Sequence, residues 1–133
     1  MVGLVIVSHS AKIAEGVREM AEEISTNGVK IATAGGLADG SMGTDAVRIM
    51  EAVKEADSGD GVLILCDIGS SIMSAEMALE LLNEEQDGGA LRSVIADAPL
   101  VEGAIAAAAE AGGGTSLEEV KAAAEETRTW PKL

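Results

Sequence analysis

The chain has 133 residues, with 9 Lys and Arg against 23 Asp and Glu, a formal net charge of −14, and a single histidine, cysteine and aromatic residue. That length builds one domain, residues 1–133, with a true core, while the charge argues against nucleic acid and anionic membrane as partners, since both are held chiefly by basic side chains. No stretch approaches the roughly 20 apolar residues of a bilayer span, and no signal segment opens the chain, so a cytoplasmic location is expected; the acid excess suits a cytoplasm of high salt, where screening removes self-repulsion.

The first predicted element is the apolar run at residues 2–10, VGLVIVSHS, rich in Val and Ile. It reads as a strand buried on both faces, which sets His9 at its carboxyl end. Residues 11–24 place Ile13, Val17, Met20, Ala21 and Ile24 at spacings of three and four, an amphipathic helix. Asn27-Gly28 turns the chain, and residues 29–34 form a second strand running into Gly35-Gly36. A loop of small and polar residues, GGLADGSMG, spans residues 35–43, and Thr44 suits the N-cap of a helix through Val47, Met50, Val53 and Ala56. After a turn at residues 57–61, VLILC at residues 62–66 is the third strand and buries the lone thiol, Cys66. Asp67-Ile68-Gly69-Ser70-Ser71 leads to a helix over residues 72–82, which Asp87-Gly88-Gly89 breaks. Residues 91–96 read as a fourth, weaker strand. Pro99 fits the first turn of a helix through Ala111, Gly112 to Gly114 end it, and Ser116-Leu117-Glu118-Glu119 is a capping box for a last helix to about Thr127.

Strands alternating with helices demand crossover connections. The expected fold is therefore α/β: a three-layer α/β/α, flavodoxin-like, doubly wound domain with a mainly parallel sheet of about four strands. Without Phe or Tyr, its core must be Val, Ile, Leu, Met and Ala, and nothing stacks on a flavin or a base.

In the order 2-1-3-4, the loops after the first three strands flank one crevice with His9 in the middle. Each loop opens a helix, and helix N-termini offer free N–H groups and a positive dipole end to an anion. Ser10, Thr44, Ser70 and Ser71 add hydroxyls, and Gly36 and Gly69 add backbone donors. A neutral imidazole is a nucleophile, and a carboxylate bonded to one ring nitrogen leaves the other free; Asp67 is the candidate carboxylate. These parts together describe phosphoryl carriage on histidine. Each part also has a plainer use: a polar loop residue for His9, helix caps for Asp67, Ser70 and Ser71, and turns for the glycines. The glycine-rich loop matches neither a Walker A sequence nor GxGxxG, and no cluster of ligands suggests a metal, so neither cofactor nor metal is expected.

LVIVSHS at residues 4–10, GTDAV at 43–47, DIGSSIMSAEMALELL at 67–82 and APLVEGA at 98–104 carry a resemblance that covers most of the chain. In these segments the sequence resembles the mannose-type IIA domain of the phosphotransferase subunit of phosphoenolpyruvate-dependent dihydroxyacetone kinases. The resemblance implies that His9 is phosphorylated by the phosphocarrier protein of the phosphotransferase system and passes the phosphoryl group to ADP held on the kinase's nucleotide-binding subunit. Asp67 matches the acid beside that histidine, and a homodimer is implied. Because relatives often continue into fused carrier domains and this chain ends at Leu133, the donor is expected to be a separate protein. The loop from Gly36 to Met42 is short for the family, and Ser71 stands where a small apolar residue is common. A crevice that docks two successive partners is expected to have a rim less acidic than the rest, or partners with basic patches. Two other readings stay open: the IIA component of a mannose-type sugar transporter, and a non-enzymatic dimeric module that binds a small anion.

Overall fold

The computed structural model describes residues 1–85 and 91–133. Four strands, β1 (Gly3–Ser8), β2 (Ile31–Gly35), β3 (Val62–Cys66) and β4 (Ser93–Ile95), lie in the order β2-β1-β3-β4 and pair in parallel throughout. The helices are α1 (Ala11–Ile24), α2 (Ala46–Ala56), α3 (Gly69–Glu85), α4 (Leu100–Gly112) and α5 (Leu117–Glu126), followed by a 3₁₀ turn at Thr127–Thr129. The fold is the expected three-layer doubly wound domain.

The central strand shows how the layers form. All six residues of GLVIVS are buried, and alternation sends Leu4 and Ile6 to one face and Val5 and Val7 to the other. On the first face they meet Leu63, Leu65 and the small side chains of α1, α4 and α5; on the second they meet Ile64, Cys66 and α2 and α3. With no aromatic residue inside, alanines draw the helices in: α4 alone buries Ala104, Ala107, Ala108 and Ala111. Two glycines mark the closest approaches. A Cβ on Gly3 would stand 2.0 Å from the Ala56 carbonyl oxygen, and one on Gly35 would stand 2.8 Å from both the Ala11 Cα and the Ala14 Cβ.

That closeness explains one departure from the sequence pattern. α1 rests on the sheet through Ala14, Val17 and Ala21, and it leaves Ile13, Met20 and Ile24 about half exposed. Large residues at those positions cannot fit where the helix touches the end of β2, so the small-residue ridge turns inward. Helix starts also shift. Asp45, not Thr44, caps α2, its carboxylate accepting from Val47 N–H at 2.9 Å. α3 begins at Gly69, three residues before the patterned start, because the Ser71 N–H and hydroxyl both turn back to the Ile68 carbonyl. Pro99 is the N-cap of α4 instead of lying within its first turn. The capping box holds, with Ser116 Oγ accepting from Glu119 N–H at 3.2 Å. The predicted break at Asp87-Gly88-Gly89 lies outside the described residues.

In a sheet of this order the chain leaves β1 outward to β2, then returns across it to β3. The crevice between the carboxyl ends of β1 and β3 is therefore the topological switch point. His9 follows β1 and Asp67 follows β3.

Candidate functional site

Register places the two candidate groups side by side. Val7 pairs with Cys66 across β1 and β3, and Asp67 N–H donates to the Val7 carbonyl at 3.1 Å, so the residues just beyond the strands face each other. The Asp67 carboxylate then gathers three donors. Oδ1 takes the His9 ring at Nδ1 from 2.9 Å, and Oδ2 takes the His9 backbone N–H at 3.0 Å and the Ser8 hydroxyl at 2.8 Å. Partial burial pushes the Asp67 carboxyl up, but the His9 N–H, the Ser8 hydroxyl, the His9 ring and the Ile68 N–H together outweigh it and hold it down at about 2.

An ionised carboxylate can only accept, so His9 Nδ1 carries a ring hydrogen; in the neutral imidazole Nε2 then bears the lone pair. Ser70 Oγ stands 2.6 Å from Nε2 and, in this tautomer, donates to it. The ring is thus held between Asp67 and Ser70, with Nε2 at the mouth of the crevice. The side chains of His9 and Asp67 are 23% and 17% exposed, open enough for a partner to reach and dry enough to strengthen their pairing.

Ser8 has a role that the sequence alone does not assign. It is fully buried, donates to Asp67 and accepts from Ser10 N–H at 3.1 Å. A hydroxyl closing an otherwise apolar strand is the signal that could have singled it out, since a buried polar group must find a partner.

The other predicted residues divide by placement. Ser10 caps α1, its Oγ accepting from Ile13 N–H at 3.3 Å. Gly36, at φ 69°, donates its N–H to the Ser8 carbonyl, and Gly43 donates to the His9 carbonyl at 2.9 Å, so both ends of that loop are tied to the end of β1. Gly69 starts α3 with its Cβ position open. Thr44 Oγ1 pairs with Ser74 Oγ at 2.7 Å, linking the start of α2 to α3. Ser71 is not brought to the imidazole: it is buried, and its N–H and hydroxyl are both spent on Ile68.

A depression of about 280 Å³ opens beside His9, walled by Ser10, Ala11, Lys12, Gly40, Ser41 and Met42. A larger hollow of about 430 Å³ lies at the other end of the sheet between Glu22, Lys30 and Glu55, away from the strand carboxyl ends and from His9. Burial pushes the Cys66 thiol up to about 12, so it supplies no thiolate. Among the described residues no group of three His, Cys, Asp or Glu could hold a metal ion, and no helix is long and apolar enough to cross a membrane.

Comparison with known proteins bears on this geometry. The family model described as the PTS system fructose IIA component, EIIA-man, matches residues 3–121. The phosphoryl donor subunit DhaM of the PEP-dependent dihydroxyacetone kinase of Escherichia coli strain K12 is 45% identical over 123 residues, which cover 90% of this chain and 25% of that protein. The DhaM subunit of PEP-dependent dihydroxyacetone kinase 2 of Listeria innocua serovar 6a is 43% identical over 120 residues, covering 90% of this chain and 94% of that one. The chain therefore spans about a quarter of the length of the Escherichia coli relative and nearly the whole of the Listeria one. A crystal structure of a protein of unknown function, EF1359, superposes with a TM-score of 0.79 at 38% identity, covering 94% of this chain and 93% of the other.

Proposed function

The chain belongs to the EIIA-man family of phosphotransferase-system components, and from that membership we propose that it is the phosphoryl donor subunit of a dihydroxyacetone kinase, carrying the phosphoryl group on His9 Nε2. The observation that carries the proposal is the pair of hydrogen bonds that brackets the ring: Nδ1 on Asp67 at 2.9 Å and Nε2 at the crevice mouth against Ser70.

The chemistry balances without a proton leaving the site. The Nε2 lone pair attacks the phosphorus of the phosphocarrier protein's phosphohistidine; the new N–P bond forms as the donor's N–P bond breaks, and the donor imidazole departs with its electron pair. Asp67 keeps the Nδ1 hydrogen in place and faces the positive charge that the ring acquires. In the second step, a β-phosphate oxygen of ADP on the kinase's nucleotide-binding subunit attacks the same phosphorus, Nε2 recovers its pair, and ATP forms. Such transfer depends mainly on alignment and on stabilising the charge of the moving group. Free N–H groups at the starts of α1 and α3, with the Ser10 and Ser70 hydroxyls, are suited to that charge. Gly36, Gly69, Thr44 and Ser71 shape the surrounding turns. Met42 and Ile68, 73% and 68% exposed around the crevice, suit the docking of a protein partner. The carrier acts as a homodimer in the cytoplasm and needs no metal or nucleotide of its own.

The test is incubation with phosphoenolpyruvate and the general phosphotransferase proteins, which should give an acid-labile phosphorylated species that His9→Ala abolishes. Undiminished labelling of His9→Ala would refute the mechanism. One second reading has its own support, since the matching family model is described for a fructose IIA component. Chasing the labelled protein with the purified kinase subunits and dihydroxyacetone separates the two, because only the kinase reading yields dihydroxyacetone phosphate.

A further inference from the structure

Of the nine Lys and Arg side chains, six are paired with carboxylates, and among the described residues Lys12, Lys30 and Arg48 are not. In a chain with 23 acids an unpaired lysine is the exception. Lys12 is unpaired for a visible reason. On a helix its acidic neighbours would stand three or four residues on. The residue at i+4 is Gly16, and the one at i+3, Glu15, is taken up by Arg18 at 2.6 Å and by the Thr33 hydroxyl at 2.7 Å.

Its position is also unfavourable for a lysine taken alone. Lys12 is the second residue of α1, where the helix dipole presents positive charge and favours an acid. Within their first turns α1, α2 and α3 carry no acid, Asp45 standing just before α2 as its N-cap, whereas α4 and α5 do. A cation kept against the dipole, without a carboxylate, shares the wall of the 280 Å³ depression with His9. What would make that arrangement favourable is a dianion in transit beside it.

Resting on the reading of His9 as the phosphorylated residue, we infer that Lys12 is a further residue of the transfer reaction, its ammonium neutralising the phosphoryl group as it arrives on Nε2. Lys30 supplies the internal control, since it too is unpaired but lies before β2, at the opposite end of the sheet from His9.

The experiment compares rates of labelling from phosphoenolpyruvate through the general phosphotransferase proteins for the wild type, Lys12→Gln, Lys12→Arg and Lys30→Gln. Lys12→Gln should be about three- to fivefold slower, the size expected for an exposed charge interaction, Lys12→Arg should recover most of the rate, and Lys30→Gln should match the wild type. All four should melt at the same temperature, because both lysines are exposed. If the wild type labels but Lys12→Gln labels equally fast, or Lys30→Gln is slowed as much, the inference falls and the relay stands. A wild type that never labels overturns both.

Discussion

Asp67 holds His9 twice, through the backbone N–H at 3.0 Å and through ring Nδ1 at 2.9 Å, so one carboxylate fixes both where the residue sits and which ring nitrogen is free. Asp67→Ala would leave Nδ1 without its acceptor and the ring without a preferred tautomer. Phosphoryl transfer into the protein should slow by a factor on the order of 10² to 10⁴, as for other carboxylates that orient a reactive imidazole. Asp67→Asn should be slowed as well, because its amide can donate to Nδ1 and favour the hydrogen on Nε2. Quenched-flow labelling reads both, and an unchanged rate for Asp67→Ala would reduce Asp67 to a structural residue.

On the proposed relay, Ser70 would act on both sides of the reaction. In the resting state its hydroxyl donates to the lone pair of Nε2 from 2.6 Å, and it must release that nitrogen before attack. In the proposed relay, the released hydroxyl becomes a donor beside Nε2 for an incoming phosphoryl oxygen. Ser70→Ala removes the obstruction and the donor together. If the donor role dominates, single-turnover transfer should fall about tenfold, the worth of one hydrogen bond to a charged group. A rate at or above that of the wild type would show that Ser70 only shields the imidazole.

What the sequence makes legible follows from which interactions are local. The strands Gly3–Ser8 and Val62–Cys66 and the parallel sheet follow from apolar runs and crossover geometry, which are written in the sequence, whereas the order 2-1-3-4, on which the meeting of His9 with Asp67 depends, rests on likeness to the flavodoxin-like arrangement. The inward face of α1 was not readable, because it depends on Gly35 letting Ala11 and Ala14 approach β2, a contact between separate elements. The role of Ser8 was hidden for the same reason: its partner Asp67 is 59 residues away. Asp45 displaced Thr44 as a cap because both residue types suit that position, and Thr44 found Ser74 instead.

Asp67 also makes stability depend on pH. Its folded pKa of about 2 lies below the ordinary 3.8, so ionised Asp67 favours the folded state. That contribution is complete above about pH 4 and is lost as the pH falls through about 2. Asp39, Glu102, Glu118 and Glu125 are lowered too, by hydrogen bonds to Ser41, Lys132, the backbone and Asp97 N–H respectively, with burial opposing most strongly at Glu125. The comparison must therefore be differential. Urea unfolding at steps between pH 5 and 2 should show the gap between wild type and Asp67→Asn narrowing as the pH falls; a constant gap would contradict the pairing.

The surface acids predict a response to salt. Among the described residues, seven carboxylates pair with Lys, Arg or the N-terminal amine, which leaves most of the acids there without a cation. Self-repulsion at a net charge of −14 opposes the compact state, and at molar salt the screening length shrinks to about 3 Å. The melting temperature should rise from low to molar potassium chloride. A flat or falling curve would remove the argument for a high-salt cytoplasm and leave the acids as a solubilising surface.

Gly35 connects packing to the site. Its missing side chain lets the first turn of α1 rest on the end of β2, with Ala11 Cα and Ala14 Cβ at 2.8 Å and the Ser10 carbonyl oxygen at 2.9 Å from where a Cβ would be. All three atoms belong to backbone or to a short, buried side chain, so Gly35→Ala cannot be absorbed by a rotamer change. The start of α1 must lift, at a cost of about 1–3 kcal/mol in stability. Because Ser10 and Lys12 ride on that turn while His9 directly precedes it, the variant should lose phosphoryl transfer beyond what partial unfolding explains. Gly28→Ala, at φ 75° with open space around its Cβ position and far from the crevice, gives the comparison: it should lose stability through backbone strain while retaining the labelling rate of its folded fraction. Equal labelling by the folded fractions of both variants would show that the seat of α1 on Gly35 serves stability alone.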